Sequence, residues 1–490
     1  MSPAPVIEPA SRLSFWLRVR EFAVPPPMIE IAAARRGVGD WAGACAAAGV
    51  DVDLDLRALA RTRGRALAAA VRADLRHLAP DLLRWHLPRI APDGLLRPGL
   101  TMTLARYGER EIDDGGAGAV HLVARTPPAW ADAGQRIALA LWDGSGPVLH
   151  PHPHPNRRFR LDLHRHLWDA RRAGELHSRS GAAQFGFAGV PSGVAAANCV
   201  VPVDWAAPSG LAVDADFGSA EDCVVPPSLA VPADCAVHRW AAEAGILLRA
   251  EHRDSGQVLV RCGARQRVVL DVASDRGASP SLRIAEKTPR GGLSGLPVLP
   301  DAATWTLPDL ALIRSGALTP DRLHPLVARA LAPDHPVAQP HSDSASAQRI
   351  VECRGERHRI GLVDGVLVAL DHDADEIRRE ELLVALTGTA LPCLRAVDLA
   401  HRRPDWLVDV RERLHHGDID GALTVVEGLL GRDAVLRDGP LRAELEAAAR
   451  RRVTYGLFRA GLPAPGHHIP ISAPKRRDAH RAHPRHATAR

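Results

Sequence analysis

Three short apolar runs follow one another in the first third of the chain: LTMTLARY at residues 100–107, AVHLVART at 119–126 and RIALALWD at 136–143. Each run has the length of one strand and is rich in apolar residues, and Gly/Asp-rich or Pro-rich stretches separate the three. Short apolar runs bounded by turn residues are typical of neighbouring strands. The sequence therefore predicts a β-rich module in this part of the chain.

The pattern before and after this module is different. Upstream, apolar side chains recur mostly at intervals of three and four, which places them on one face of a helix; they are Leu56, Leu59, Leu67, Val71, Leu75 and Leu78. Downstream, the run RRFRLDLHRHLWDARRAGEL at 157–176 predicts a strand that leads into a basic helix. The helical pattern returns after residue 376 and continues to about residue 465.

Two β-hairpins are predicted further along the chain. QVLVRCG and RQRVVLDV, between residues 257 and 272, are separated by a small turn that contains glycine. In RHRIGLVDGVLVALDH, residues 357–372, two apolar runs are joined by Asp364-Gly365, a pair favoured where both turn residues need positive φ. Between the hairpins, Thr319-Pro320-Asp321 predicts the start of a helix, because threonine caps and proline suits the first turn.

These assignments predict an α+β, multi-domain chain in which helical N- and C-terminal regions flank small antiparallel β-containing modules. The predicted organisation is a disordered N-terminus at 1–12, a helical region at 13–97, a β-rich module with a basic helix at 98–180, a mixed region with irregular segments at 181–335, a linker at 336–346, a β-hairpin segment at 347–375, a helical region at 376–465 and a disordered basic tail at 466–490.

One short string occurs twice, as Gly-Asp-Trp-Ala-Gly-Ala at 39–44 and as Gly-Asp-Ile-Asp-Gly-Ala at 417–422. Each copy follows a helical stretch and precedes an apolar one. The string resembles the inter-helix turn of tetratricopeptide-type helical hairpins, but no 34-residue period joins the two copies, so a repeat array is not indicated. The favoured interpretation is an ordinary helix–turn–helix in which aspartate is the N-cap.

The composition excludes several classes of protein. Lys287 and Lys475 are the only lysines and neither lies in a P-loop, which argues against nucleotide and pyridoxal enzymes that need a positioned amine. Residues 474–490 carry six lysine and arginine residues against one aspartate, which accounts for the whole formal charge of +5. The folded body is therefore formally neutral. The seven cysteines have no Cys-x-x-Cys spacing, and no apolar run fits a signal peptide or a membrane span, so we expect a cytoplasmic protein.

Histidines alternate with prolines in LHPHPHPNRRF, residues 149–159, and two more follow closely. Since imidazole is the commonest metal-ligating side chain, the candidate metal ligands are His150, His152, His154, His164 and His166. Proline between successive histidines favours polyproline geometry, whose threefold repeat turns neighbouring side chains apart. The favoured interpretation is an exposed loop without a cofactor, and the alternative is a zinc site that also uses Asp162.

Arginines are concentrated in the segment that follows. The candidates for contact with an anion or a nucleic acid, through the planar fork of each guanidinium, are Arg157, Arg158, Arg160, Arg165, Arg171 and Arg172. Asp162, Asp169 and Glu175 lie among them and dilute their charge. A salt-bridged surface is therefore the favoured interpretation, and contact with nucleic acid is the alternative.

No nucleophile elbow or metalloprotease motif occurs in the chain. We therefore expect a non-catalytic protein-interaction or scaffold protein of the bacterial cytosol, whose partners are other proteins and which needs neither cofactor nor membrane. Two alternatives stay open. One is a metal-dependent hydrolase that uses zinc at His150–His166, and the other is a nucleic-acid-associated protein that uses the basic tail or Arg157–Arg172.

Overall fold

The structure of the chain, a computed structural model, describes residues 9–108, 119–131, 135–144, 150, 152–182, 223–224, 231–232, 234–263, 266–273, 281–285, 292–333, 349–353, 356–363, 366–369, 371–387, 392, 395, 405–430 and 438–462. Several sequence predictions lie outside the described residues. They are the linker at 336–346, the tail at 466–490, the Asp364-Gly365 turn, and most of the first twelve residues and of the irregular stretch at 181–235.

The described residues form helices and strands in alternating blocks. The helices are α1 (Pro9–Arg18), α2 (Pro26–Gly37), α3 (Trp41–Ala47), α4 (Leu56–Thr62), α5 (Arg65–His77), α6 (Pro80–His86), α7 (Leu176–Arg179), α8 (Trp240–Ala250), α9 (Asp301–Thr304), α10 (Pro308–Arg314), α11 (Pro325–Leu331), α12 (Ala374–Thr387), α13 (Asp405–His416), α14 (Ile419–Leu430) and α15 (Pro440–Arg459). The strands are β1 (Val50–Asp53), β2 (Arg89–Ile90), β3 (Leu95–Leu96), β4 (Thr101–Tyr107), β5 (Val120–Arg125), β6 (Ile137–Trp142), β7 (Cys223–Val224), β8 (Gly256–Arg261), β9 (Arg267–Ala273), β10 (Ser281–Ile284), β11 (Arg349–Cys353), β12 (Glu356–Val363) and β13 (Val366–Ala369).

The first sheet has the strand order β1-β6-β5-β4, and the three strands predicted from the sequence are its antiparallel part. Strand β1 adds to its edge in parallel with β6. This strand falls inside the region predicted as helical, because a run of four residues, VDVD, is too short to interrupt a helical pattern read over a longer window. Helices α1–α6, α10 and α11 and the segment 157–182 pack with one face of this sheet in a shared hydrophobic cluster, the first core.

The second sheet, with the order β7-β10-β9-β8, packs against α8 and forms the second core. Its β8–β9 hairpin confirms the prediction for residues 257–272. The pairing of β12 with β13, in which Val363 lies opposite Val366, confirms the other predicted hairpin. Helices α13, α14 and α15 share a third, smaller core. The α+β class predicted from the sequence is therefore confirmed, with helical regions on either side of small antiparallel sheets.

One predicted helix is wrong and another is only partly confirmed, and both differences have a physical reason. The segment 157–176 contains short 3-10 turns instead of a basic helix, because His164, His166, Trp168 and Asp169 are all buried and leave no solvent-exposed face for a helix to present. The helix start predicted at Thr319-Pro320-Asp321 is present as the 3-10 turn Pro320–Arg322, without a cap hydrogen bond from Thr319, and the α-helix begins only at Pro325. His324 is extended, as a residue before proline prefers, and its Nδ1 accepts a hydrogen bond from the Leu326 amide as the helix cap.

The two Gly-Asp-x-x-Gly-Ala strings adopt the same helix–turn–helix geometry. Gly39 and Gly417 have positive φ, and the carboxylates of Asp40 and Asp418 accept hydrogen bonds from the amides three residues later. A side chain at Gly43 or Gly421 would collide with that carboxylate. The N-cap interpretation of both strings is thus confirmed. Among the described helices, none combines the length and apolar character that crossing a bilayer requires.

A buried guanidinium joins the C-terminal helices to the first core. Arg84 on α6 is 1% exposed, and its side chain donates hydrogen bonds to the carbonyl oxygens of Ala23 at 2.8 Å, Gln135 at 2.5 Å and His416 at 2.6 Å. The last of these is the final residue of α13. On the other side of the sheet, the Tyr455 hydroxyl of α15 donates to Asp51 at 2.6 Å.

We predict that Arg84→Met lowers the free energy of unfolding by about 3 kcal/mol, because several buried carbonyls lose their donor at once. Chemical denaturation followed by circular dichroism measures this change. Arg72→Met, on the exposed face of α5, is the matched control and should stay within about 0.5 kcal/mol of the parent chain. Equal stability of the two variants would contradict the assigned role of Arg84.

Candidate functional site: an arginine-lined cleft

A cleft of about 530 Å³ separates the first sheet from the second core. Its volume is within the range of small-molecule sites in proteins. Strands β4, β5 and β6 supply one wall, and the segment 154–160 supplies the floor. The opposite wall is built by the end of α8, by Arg253 and by residues 295–298. Four arginines, two histidines and one tryptophan line the cleft: Arg106, Arg157, Arg160, Arg253, His121, His154 and Trp142.

Strand register places three of these side chains in one row. Arg106 of β4 lies opposite His121 of β5, and His121 lies opposite Trp142 of β6. Directly opposed residues of an antiparallel pair project from the same face of the sheet. The His121 and Trp142 rings are accordingly in edge-to-face contact, with centroids 5.1 Å apart.

A β-bulge in β4 brings Arg106 to this row. Thr103 lies opposite Val123 and Arg106 lies opposite His121. A step of three residues along β4 therefore matches a step of two residues along β5. In a regular strand, residues three apart face opposite sides. The register shift at Leu104 puts Thr103 and Arg106 on the same side, toward the cleft, while Met102 and Ala105 stay in the first core.

Salt bridges fill the floor of the cleft. The Arg160 guanidinium donates to Asp162 at 2.8 Å and to Glu251 at 2.6 Å, and all but a small part of it is buried. Arg106 lies 3.4 Å from Asp162 and 3.6 Å from Glu251. The hydrogen bonds to Asp162 and Glu251 offset burial and raise the pKa of Arg160. Two cations thus share two carboxylates at this point.

The other two arginines have no such carboxylate. Arg157 donates to the carbonyl oxygens of Ser294 at 2.7 Å and Leu296 at 3.5 Å, and Arg253 is exposed with its guanidinium over Gly256. Among the described residues, neither Arg157 nor Arg253 forms a salt bridge. The four arginines therefore exceed Asp162 and Glu251 by two formal positive charges.

Two buried polar atoms in the wall also lack partners. Within the described structure, neither Thr103 Oγ1 nor His121 Nδ1 makes a hydrogen bond, although both are shielded from solvent. Buried polar atoms without a hydrogen-bond partner are uncommon in folded proteins. Burial, with the nearby charge of Arg106, lowers the pKa of His121 to about 4, so its ring is neutral at pH 7.

The structure separates the five histidines that the sequence singled out. His150 is buried and hydrogen bonds to the Thr126 carbonyl at 2.8 Å, whereas His152 is exposed. His154 lines the cleft, with its ring 5.7 Å from that of Trp142. The described residues include all five histidines, and they contain no group of three or more His, Cys, Asp or Glu side chains that could hold a metal ion.

His164 and His166 lie in a separate, buried cluster. Glu243 of α8 is the centre of this cluster: Arg179 donates to both of its oxygens at 2.7 Å, and His164 Nε2 is 3.1 Å from it. The ring nitrogens of His166 have no hydrogen-bond partner among the described residues. Full burial, with His164 and Arg179 nearby, lowers the pKa of His166 well below its usual value. Both histidines thus lie in the interior: His164 is paired with Glu243, and the ring of His166 is neutral.

Most of the predicted anion-binding arginines hold carboxylates of the chain itself. Arg158 pairs with Asp301 at 2.7 Å, and Arg172 pairs with Glu175 at 2.5 Å. Arg165 and Arg171 each contact both Asp74 and Asp169. Of the six, the structure brings Arg157 and Arg160 to the cleft. This arrangement favours the salt-bridged interpretation of the segment.

Sequence reasoning missed four residues of the cleft, which are Arg106, His121, Trp142 and Arg253. They belong to no motif. Strand register aligns Arg106, His121 and Trp142, and the packing of the second core beside the first sheet adds Arg253. One signal was present: in AVHLVART, His121 alternates with the apolar residues Val120 and Leu122, which marks it as a polar side chain on the outer face of a strand. The bulge that re-aims Arg106 has no comparable sequence signal.

We predict that Arg106→Gln raises the pKa of His121, because the charge of Arg106 disfavours protonation of the ring. The pKa stays below 6.5 since burial, the larger cause, persists. Because the folded-state pKa lies below that of the unfolded chain, His121 also makes folding less favourable as the pH falls from about 6.5 to about 4. Nuclear magnetic resonance titration of the histidine rings measures the shift.

Arg249→Gln, on the exposed side of α8, is the control for this titration and should leave the His121 pKa where it is. An unchanged value in Arg106→Gln would show that the two side chains are not neighbours.

Comparisons with protein-family models, with curated proteins and with solved structures find no match to this chain. No relative therefore supplies a function or a set of site residues. The cleft is accordingly the feature from which a function has to be argued.

Proposed function

We propose that this chain binds a phosphate ester of a small organic molecule in the cleft between the first sheet and the second core. The observation that carries the proposal is the pair Arg157 and Arg253, two cationic side chains that face one cavity without a carboxylate partner among the described residues. Guanidinium forks are well matched to phosphate oxygens, which accept two parallel hydrogen bonds.

Charge complementarity supports a phosphate ester in particular. The cleft has a surplus of two formal positive charges, and a phosphate monoester carries about −1.5 to −2 at pH 7. The carbonyl partners of Arg157 are neutral, so they hold its guanidinium in place without cancelling its charge.

The apolar part of the lining suits the organic portion of such a ligand. Trp142 lies between the rings of His121 and His154, and Leu247, Pro297 and Val298 are on the opposite wall. Aromatic side chains pack well against flat rings in offset or edge-to-face geometry. A phosphate ester that carries a ring is thus the best fit to a cleft with both a cationic and an apolar part.

The chemistry of the cleft favours binding over catalysis. The carboxylates of Asp162 and Glu251 both accept hydrogen bonds from Arg160, so donors of the chain itself already occupy them. A general acid or base needs a proton that it can exchange near the working pH, and the low pKa of His121 moves that group away from neutrality. The proposed role is therefore recognition of a ligand.

Protein interaction, the function expected from the sequence, is a second candidate. Leu382 and Leu386 lie one turn apart on α12 and are 63% and 85% exposed. Large apolar side chains at this spacing on one helix face are a feature of helix-mediated recognition. This observation supports a partner-binding surface on α12, separate from the cleft.

We predict that phenyl phosphate binds the full chain and that Arg157→Gln and Arg253→Gln each weaken its affinity about tenfold, the worth of one charge-assisted hydrogen bond. Binding should tighten as the pH rises from 5 to 7, because the second ionisation of the ester lies near pH 6. Isothermal titration calorimetry measures both effects.

Arg249→Gln is the matched control for this titration, since it removes an exposed arginine of α8 that lies four residues before Arg253 but outside the cleft. It should bind phenyl phosphate as the parent chain does. Equal affinity for phenol and phenyl phosphate, or undiminished binding in the Arg157→Gln/Arg253→Gln double variant, would refute the proposal.

A further inference from the structure

A second cavity, of about 380 Å³, lies on the other side of the segment 157–161. It is bounded by α1, by the end of α6 and the residues after it, and by residues 300–308. Of all the residues that line the two cavities, Arg160 alone is common to both. Its guanidinium is occupied by Asp162 and Glu251, so the second cavity has its own set of groups for contact with a ligand.

The wall of this cavity is largely apolar and aromatic. Its aromatic side chains are Phe15, Trp16, Phe159 and Trp305, and leucines, among them Leu87 and Leu307, add to the apolar surface. Trp16 is half-buried, in edge-to-face contact with Phe15 at 4.9 Å and with the buried Trp85 at 5.6 Å. Partly exposed aromatic rings that line a concave surface gain free energy when an apolar group covers them. The body of a ligand here would therefore be hydrocarbon.

Cations are placed at the rim without matching anions. Arg12 and Arg158 pair with Asp234 and Asp301, whereas Arg89 and Arg97 form no salt bridge among the described residues. Arg97 is exposed at the mouth. An apolar cavity with a surplus of positive charge at its edge calls for a ligand with one apolar end and one anionic end.

The environment of Arg89 strengthens this requirement. Its two terminal nitrogens donate to the carbonyl oxygens of Gly94 at 2.8 Å and Arg84 at 2.7 Å, and its Nε makes no hydrogen bond within the described structure. Burial and the neighbouring Arg84 guanidinium lower the pKa of Arg89 well below its usual value. An anion bound nearby would relieve the repulsion between these two side chains.

We infer that the second cavity binds an amphipathic carboxylic acid, with its hydrocarbon body against Trp16, Phe159 and Trp305 and its carboxylate at Arg97 and Arg89. A carboxylate suits the site because Arg97 offers one free fork and the terminal nitrogens of Arg89 are already engaged. This site is separate from the proposed phosphate-ester site, so either one can exist without the other.

Octanoate, with 1-octanol as its uncharged analogue, tests the inference in titrations of the full chain followed by tryptophan fluorescence. We expect saturable binding of octanoate and weaker binding of the alcohol. Arg97→Gln should weaken octanoate about fivefold, the worth of an exposed charge pair, and should leave octanol unchanged. Ala302→Phe, which fills the cavity from α9, should abolish binding of both compounds.

Arg253→Gln, in the cleft, is the control and should bind octanoate as the parent chain does. A melting temperature of Ala302→Phe equal to that of the parent establishes that its loss of binding comes from the filled cavity. The inference is overturned by equal affinity for octanoate and octanol, by equal weakening in Arg253→Gln and Arg97→Gln, or by the absence of saturable binding in the parent chain.

Discussion

Arginine–carboxylate pairs join the first core to the second, and the rest of the architecture around both cavities depends on them. In addition to Arg106–Glu251, three such pairs form one group. Each arginine comes from the segment 157–182 and each carboxylate from α8, its C-terminal end or α9; the pairs are Arg158–Asp301, Arg160–Glu251 and Arg179–Glu243. Glu243 is almost completely buried. Losing one partner of such a pair leaves an uncompensated charge in the interior, so the pairs fix how the two modules are placed.

The two cavities follow from this arrangement. Side chains of the segment 157–160 extend from both sides of the segment. Arg157 lies toward the cleft and Arg158 toward the second cavity. These pairs occupy most of the nearby carboxylates. The arginines without a carboxylate partner, among them Arg157 and Arg253, therefore give the cleft its surplus of positive charge. A bulge at Leu104 then places Arg106 beside His121 on the same surface. The positive surplus on which the proposed binding of anions rests is thus a consequence of how the two cores are held together.

Local sequence signals predicted local structure well, and predicted the site poorly. Strand runs at 100–143, both hairpins and the aspartate caps at Asp40 and Asp418 follow from rules that act over a few residues. The helix predicted in the basic segment 157–176 is wrong because tertiary packing buries His164 and His166, and this burial overrides the local sequence pattern. The cleft was not predictable in the same way, since its residues come from distant segments and are united only by register and ion pairing.

The joint between the two modules can be tested directly by a double-mutant cycle on the buried pair, with Arg179→Met, Glu243→Gln and the combined variant compared in free energy of unfolding. Each single variant should be strongly destabilised because the remaining partner, and His164 beside it, stays buried. We expect a coupling energy of about 2 kcal/mol, within the range seen for residues in one salt-bridge network. A coupling energy indistinguishable from zero would contradict it, because the two modules would then be held together by something other than these pairs.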